Sequence, residues 1–291
     1  LLLLVIDSIF IPNFFHPNNF RNILLQIAPT MLVATGMTFV IATGGIDLSV
    51  GAVMAIASAV AATSIDSGTW VAVPLALCVA TAAGAFNGAL ISGFRIQPII
   101  VTLALLISGR GVAQVINGGR LIPFSDPTFE YLGRGYVGPV PVQVLVMFVV
   151  VAAAIFVMRA TAFGRYVVAV GGNESAARLS GVKVNRTKVL VYALSGLLAG
   201  LAGLIETARQ GASDAPNVGL NIELDAIAAT VVGGTALTGG RATVVGTLIG
   251  ALIMQVITTS INMKGYEYAW SLVIKAAIIV VAVYIQRPKV A

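Results

Sequence analysis

The sequence predicts an all-α, polytopic membrane protein of about ten transmembrane helices, and three observations carry that prediction. Hydrophobic residues make up 58% of the 291 positions before the 31 glycines are counted, and only 10% are charged, against about 25% in soluble domains. A soluble globule cannot cover its surface with so few charges. Apolar runs such as 71–93 and 142–158 are far longer than the alternating segments of about 10 residues that a β-barrel requires. At about 20 apolar residues per span, the chain has room for ten spans joined by short loops.

Taken in order, Leu1–Ile11 reads as the cut end of a first helix, truncated at residue 1, with neither the basic start nor the cleavage site of a signal peptide. Apolar runs then fall near 23–43, 48–65, 70–93, 98–117, 139–158, 189–207, 222–238, 243–262 and 268–286. Two of them are doubtful as simple spans: 48–65 is short and follows Gly44-Gly45, and 222–238 holds Glu223, Asp225 and Gly233-Gly234. The whole chain, 1–291, reads as a single transmembrane domain. With a cytoplasmic N-terminus and one crossing per run, ten basic residues fall inside and five outside, while Arg110 and Lys275 lie within runs; the excess has the sign expected of an inner face. The net charge of +6 is thus a loop property. Without aromatic interleaving it does not point to nucleic acid.

Several chemistries are excluded. One cysteine, Cys78, and one histidine, His16, leave no disulfide within the chain, no zinc site and no Ser/His/Asp set. No G-x-x-x-x-G-K-[ST] occurs, so the chain does not hydrolyse ATP through a P-loop. The sequence predicts no enzyme, no metal and no cofactor on this chain.

Two segments echo each other: Gly44-Gly45-Ile-Asp-Leu48-Ser49-Val-Gly51 and Gly233-Gly234-Thr-Ala-Leu237-Thr238-Gly-Gly240. Glycine pairs weaken a helix and free backbone groups that lipid cannot satisfy, and transporters often place such breaks near the substrate path. Asp47 sits in the first break. Asp47 and Ser49 either line or lock a polar path, or Asp47 caps a helix at the membrane edge by accepting from the amides of residues 49 and 50. Glu223 and Asp225 either orient a substrate or partner, or cap the helix they open. All three acids fall near run ends in this topology, which disfavours their use as deep ion sites. Asn87, in Gly84-Ala-Phe-Asn-Gly88, reads as interhelical glue within a small-xxx-small packing pattern that recurs at Gly196/Gly200 and Gly246/Gly250. The candidate substrate path is therefore Gly44, Gly45, Asp47, Ser49, Asn87, Glu223, Asp225, Gly233 and Gly234.

The segment 159–188 carries six basic groups and one acid. Within it, Asn173 to Gly181 reads as a short helix: Asn173 is the N-cap, Glu174 and Ser175 form the first turn, Ala176, Ala177, Arg178 and Leu179 propagate it, and Gly181 stops it. A plain connector needs no capped helix, whereas a knob that docks into a partner does.

These features resemble the permease subunits of bacterial ABC importers for monosaccharides, the ribose, xylose and galactose group, with ribose-type permeases nearest. The resemblance is carried by Pro12-Asn-Phe-Phe15, Asn19-Phe-Arg-Asn-Ile23, the stretch Gly36 to Gly51, the stretch Gly164 to Gly181 that includes Gly172, and Glu223-Leu-Asp-Ala-Ile-Ala-Ala229 with Gly233 to Arg241. It implies the ABC importer permease fold, multi-pass in the bacterial inner membrane. It further implies a second permease subunit, identical or homologous, and a separate ATPase that holds ATP and Mg. An external sugar-binding protein completes the assembly. It makes 159–188 a cytoplasmic coupling loop in which Gly164, Gly172, Asn173–Leu179 and Gly181 meet the ATPase. An ion-coupled secondary sugar transporter using Asp47, Glu223 and Asp225 is the alternative.

Overall fold

Helices that must satisfy their own backbone in a membrane account for most of the described residues. The computed structural model describes residues 14–286; the expected first helix at Leu1–Ile11 lies outside the described residues. In order come α1 (Pro17–Ala42), α2 (Val50–Ser64), α3 (Thr69–Gly93), α4 (Pro98–Ile116), α5 (Pro127–Arg134), α6 (Val142–Ala160), α7 (Ala162–Gly172), α8 (Glu174–Leu179), α9 (Val184–Gln210), α10 (Ile222–Val232), α11 (Val244–Met263) and α12 (Tyr268–Gln286). Among the described residues, seven helices are long and apolar enough to cross a membrane: α1, α2 with the 3₁₀ turn after it, α3, α4, α6, α9 and α11. Helix α12 adds the apolar segment Ala269–Ala282. The run at 222–238 departs from a simple span: it yields only the 11-residue α10, about 16 Å at 1.5 Å per residue, before Gly233-Gly234 ends it. Two short antiparallel strand pairs, β1 (Ile122–Pro123) with β4 (Ala212–Ser213) and β2 (Tyr136–Val137) with β3 (Val140–Pro141), tie loops together at one end.

The helices pack through glycine. Along the α3–α9 seam, a methyl added at Gly84 would strike the Tyr192 carbonyl, one at Gly196 the Ala80 carbonyl, and one at Gly88 would fall 2.7 Å from Val189 Cα. On the other side of the bundle, Gly233, Gly246 and Gly250 bring α10 and α11 together in the same way. With no hydrophobic force between helices in lipid, such close backbone approach and the dispersion it allows supply the association energy. Helix α1 is the central post: Ile27 to Ala42 is almost fully buried. Helices α3, α4 and α6 instead turn side chains such as Trp70, Ile107 and Phe156 outward, where a membrane would meet them.

One end of the bundle gathers the end of α1, the α3–α4 turn, the segment 159–188 and the loop 233–243; the Gly240 amide donates to the Ala42 carbonyl there at 3.0 Å. This is the basic end, and it carries Arg95, Arg159, Arg165, Arg178, Lys183, Arg186, Lys188 and Arg241. Arg21, Arg120, Arg134, Arg209 and Lys264 lie at the opposite end, so the fold sorts these as the sequence does; Arg287 and Lys289, also expected inside, lie outside the described residues.

Replacing Gly84 or Gly196 with Ala should destabilise the bundle by about 1–3 kcal/mol, the usual range for overpacking. Gly111→Ala, which meets open space, should stay within about 0.5 kcal/mol. Thermal unfolding of the purified variants in detergent reads the difference; equal midpoints for all three would refute packing control by the α3–α9 seam.

Candidate functional site

The chain unwinds between α1 and α2, and the unwound turn sits inside the bundle. Gly44 takes a φ of 80°, a left-handed conformation that side chains resist, and a methyl on Gly45 would fall 2.5 Å from Tyr192 Oη. The carbonyl of Ile46, left without a helical partner, accepts from Tyr192 Oη at 3.4 Å and Thr102 Oγ1 at 3.3 Å. Asp47 Oδ1 accepts from the Ser49 amide at 3.0 Å and from Ser49 Oγ at 2.6 Å. Asp47 Oδ2 accepts from Ser195 Oγ at 2.8 Å, and Asn87 Nδ2 donates to Ser49 Oγ at 3.0 Å. Asp47, Ser49 and Asn87 are each at most 1% exposed.

Three expectations meet this geometry. Asn87 joins two helices, as glue would. Asp47 accepts from the amide of Ser49, but no bond from the amide of Val50 accompanies it. Its depth is a correction: Ser195 is the twelfth residue of the 27-residue α9, so Asp47 lies well within the bundle, because α2 itself begins there. Among the described residues, no ion pair reaches Asp47; neutral hydroxyls and one amide hold it.

A second helix also begins inside. The loop 211–221 dips into the bundle, and Arg110 of α4 donates to the carbonyls of Ala215, Val218 and Gly219. From there α10 runs toward the basic end. In its first turn, Glu223 Oε2 would lie 2.8 Å from a methyl built on Gly51. Its carboxylate thus faces the start of α2 as well as that of α10, and helix N-termini favour negative charge. Asp225 Oδ1 pairs with Lys275 Nζ of α12 at 2.8 Å, with the lysine side chain only 8% exposed. Arg110 and Lys275 are the two basic residues that the sequence places within runs, and both turn out to organise the acids or the loop beside them. Next to them a polar cavity of about 180 Å³ is lined by Gln26, Thr30, Glu206, Arg209, Asn217 and Asp225 among others. Only Asp225 of this set was a candidate from sequence; the rest come from α1, the last turns of α9 and the loop 211–221.

The two echoed glycine segments touch. A methyl on Gly239 would fall 2.9 Å from the Gly44 amide nitrogen and 2.8 Å from the Gly171 carbonyl. Gly233 and Gly234 do not join Asp47; Gly233 packs on Gly246 and offers its carbonyl to Thr243 Oγ1 at 2.7 Å.

At the basic end, α7 follows α6 after a sharp corner where a methyl on Gly164 would fall 2.5 Å from two carbonyls of α6. Then comes α8. Asn173 Oδ1 caps it by accepting from the Ala176 amide at 2.9 Å, and Gly181 ends it at a φ of 83°. Glu174 holds Lys188 at 2.6 Å and Arg178 at 3.1 Å, and Ala177 seats against Val170 and Val184. Leu179, 91% exposed, projects. The Lys188 bond, first among several, keeps the Glu174 carboxyl below the usual glutamate range.

The family described as branched-chain amino acid transport system / permease component matches residues 19–283. The chain is 43% identical to the ribose import permease protein of Escherichia coli (strain K12), over 99% of this chain and 92% of that protein. It is 43% identical to the ribose import permease protein of Bacillus subtilis (strain 168), over 99% of this chain and 90% of that one. The galactofuranose transporter permease protein of Escherichia coli (strain K12) is 40% identical, over 99% of this chain and 88% of its own length. No solved structure matches the chain.

Asp47→Ala would strand the Ser49 amide and two buried hydroxyls, so it should cost about 1–3 kcal/mol in thermal unfolding. Asp47→Asn should cost less, because it keeps one acceptor oxygen and its amide can donate to Ser195. Because folding lowers the Glu174 pKa, the α8 tie contributes fully above the ordinary glutamate value of about 4.3 and weakens as pH falls from there through the folded value. Hydrogen exchange at amides 176–181 should therefore accelerate in acid, relative to its intrinsic rate, and in Glu174→Gln should be fast at every pH.

Proposed function

The chain belongs to the permease-component family of branched-chain amino acid transport systems, and on that premise we propose that it is the membrane-spanning subunit of an ATP-driven importer of a monosaccharide, ribose foremost. The family description speaks of amino acids, but the sugar permeases that match this chain nearly end to end support a sugar cargo. The protein is a transport subunit in the bacterial inner membrane and performs no covalent chemistry. Its basic end is cytoplasmic, where an ATPase subunit with ATP and Mg docks; a sugar-binding protein meets the opposite end, and a second permease, identical or homologous, completes the path.

One observation carries the mechanism. The capped α8 is pinned by Glu174, presents Leu179, and is joined through Gly172 to Gly171, which contacts Gly239 and Gly240 beside the end of α1. A push on α8 therefore reaches the junction of both echoed loops. Those loops lead directly to the starts of α2 and α11 and to the unwound turn at Asp47. On this reading Gly44, Gly45, Asp47, Ser49 and Asn87 form the lock that lets α1 and α2 move as two pieces. Glu223, Asp225 and the polar cavity beside them receive sugar from outside. Hydroxyl-rich cargo suits Asp225, Gln26 and Arg209, which offer acceptors and donors without an apolar trap, so release stays easy. An ion-coupled transporter has less support: Asp225 is already paired with Lys275, and Asp47 is sealed by neutral partners.

The test is uptake by proteoliposomes holding this chain, its ATPase and a binding protein charged in turn with ribose, xylose and galactose. Sugar uptake that requires ATP supports the reading; uptake driven by an ion gradient alone refutes it. Arg178→Asp with Leu179→Asp should lower ATP-dependent uptake at least about tenfold, roughly 1.4 kcal/mol of coupling, while membrane insertion is unchanged. Normal uptake in that variant would remove α8 from the mechanism.

A further inference from the structure

Beside α8, but separate from its docking tip, α7 and the first turns of α9 enclose a cavity of about 300 Å³ lined chiefly by Phe163, Tyr166, Lys183, Arg186, Thr187 and Leu190. No acid lines it. Among the described residues, no ion pair includes Lys183 or Arg186, and the nearby carboxylate of Glu174 is already held by Arg178 and Lys188. The rim is thus cationic and uncompensated.

The floor is of opposite character. Phe163 stacks on the buried Phe39 in the last turn of α1 with ring centroids 6.3 Å apart, which fixes an apolar floor against the basic end of the bundle. Leu190 stands 45% exposed on the flank of α9, and Tyr166 is 44% exposed at the rim; tyrosine carries an apolar ring and a polar tip suited to a membrane boundary. Two free cations beside an apolar floor match a ligand with a phosphate at one end and a hydrocarbon chain at the other.

We propose that this cavity binds the headgroup of an anionic phospholipid, with Lys183 and Arg186 on the phosphate, Tyr166 at its edge, and the upper acyl chain along Phe163 and Leu190. Basic pockets at the membrane boundary recognise anionic lipids in this way. A free phosphate would satisfy the cations and leave the floor unused. A protein partner would meet the projecting Leu179 first. The inference needs only that the bundle spans a membrane, so it stands apart from the cargo and from the coupling role of α8.

The test is native mass spectrometry of the delipidated full chain offered phosphatidylglycerol or phosphatidylethanolamine. Phosphatidylglycerol should be retained preferentially, at about one molecule per chain. Lys183→Ala with Arg186→Ala should reduce that retention about thirtyfold, as expected for two cations near a membrane surface. Both side chains are exposed, and size-exclusion elution checks that the variant stays folded. The pair Arg120→Ala with Lys264→Ala, at the other end, should change nothing. Equal retention of the two lipids, or equal loss in the control pair, would overturn the proposal. Displacement by inorganic phosphate as effective as by phosphatidylglycerol would reassign the cavity to a free anion. Unchanged lipid retention with lost binding of the ATPase subunit would reassign it to a protein interface.

Discussion

A chain that unwinds inside a membrane must satisfy its own backbone, and the rest of this structure is arranged around that requirement. The turn from Thr43 to Ser49 cannot borrow water, so its groups are answered from three helices: Tyr192 and Ser195 from α9, Thr102 from α4 and Asn87 from α3. Asp47 is the centre of that arrangement. A carboxylate at this depth costs several kcal/mol unless its oxygens are filled, and here two hydroxyls and an amide fill them. The turn is thereby held in place without being made rigid by an ion pair.

The same economy governs the helix seams. Glycines at 84, 88, 196, 233, 246 and 250 let backbones touch where side chains would hold them apart. Close backbone contact gives a shape that is either seated or unseated, since packed surfaces deform little. In the proposed mechanism, the meeting of Gly171, Gly239 and Ala42 is the mechanical relay.

Much of this was legible from the sequence. Hydropathy located the spans; the glycine pairs marked both breaks; Asn173, Glu174 and Gly181 outlined α8 to within a residue of its observed bounds. Each of those signals is local, set by composition over a window or by capping chemistry within one turn. The depth of Asp47 was not legible. Run boundaries place it near a helix end, which is correct, but only packing shows that this end lies inside the bundle. The doubt over the 222–238 run was legible from its acids and glycine pair: Gly233-Gly234 stops α10 after three turns, and only the structure shows that the preceding loop makes up the depth.

The sequence by itself determined that this is an all-helical membrane protein with a basic end, two glycine breaks and a short capped helix at that end, because apolar run length, charge and helix capping are properties of neighbouring residues. Only the tertiary structure decided that Asp47 bonds Ser195 148 positions away, that Asp225 finds Lys275, that Arg110 holds the 211–221 loop, and that the two echoed segments touch. Those pairings join residues from separate helices. Their selection rests on which glycine faces allow two backbones to meet, and hydropathy along a single chain carries no record of that choice.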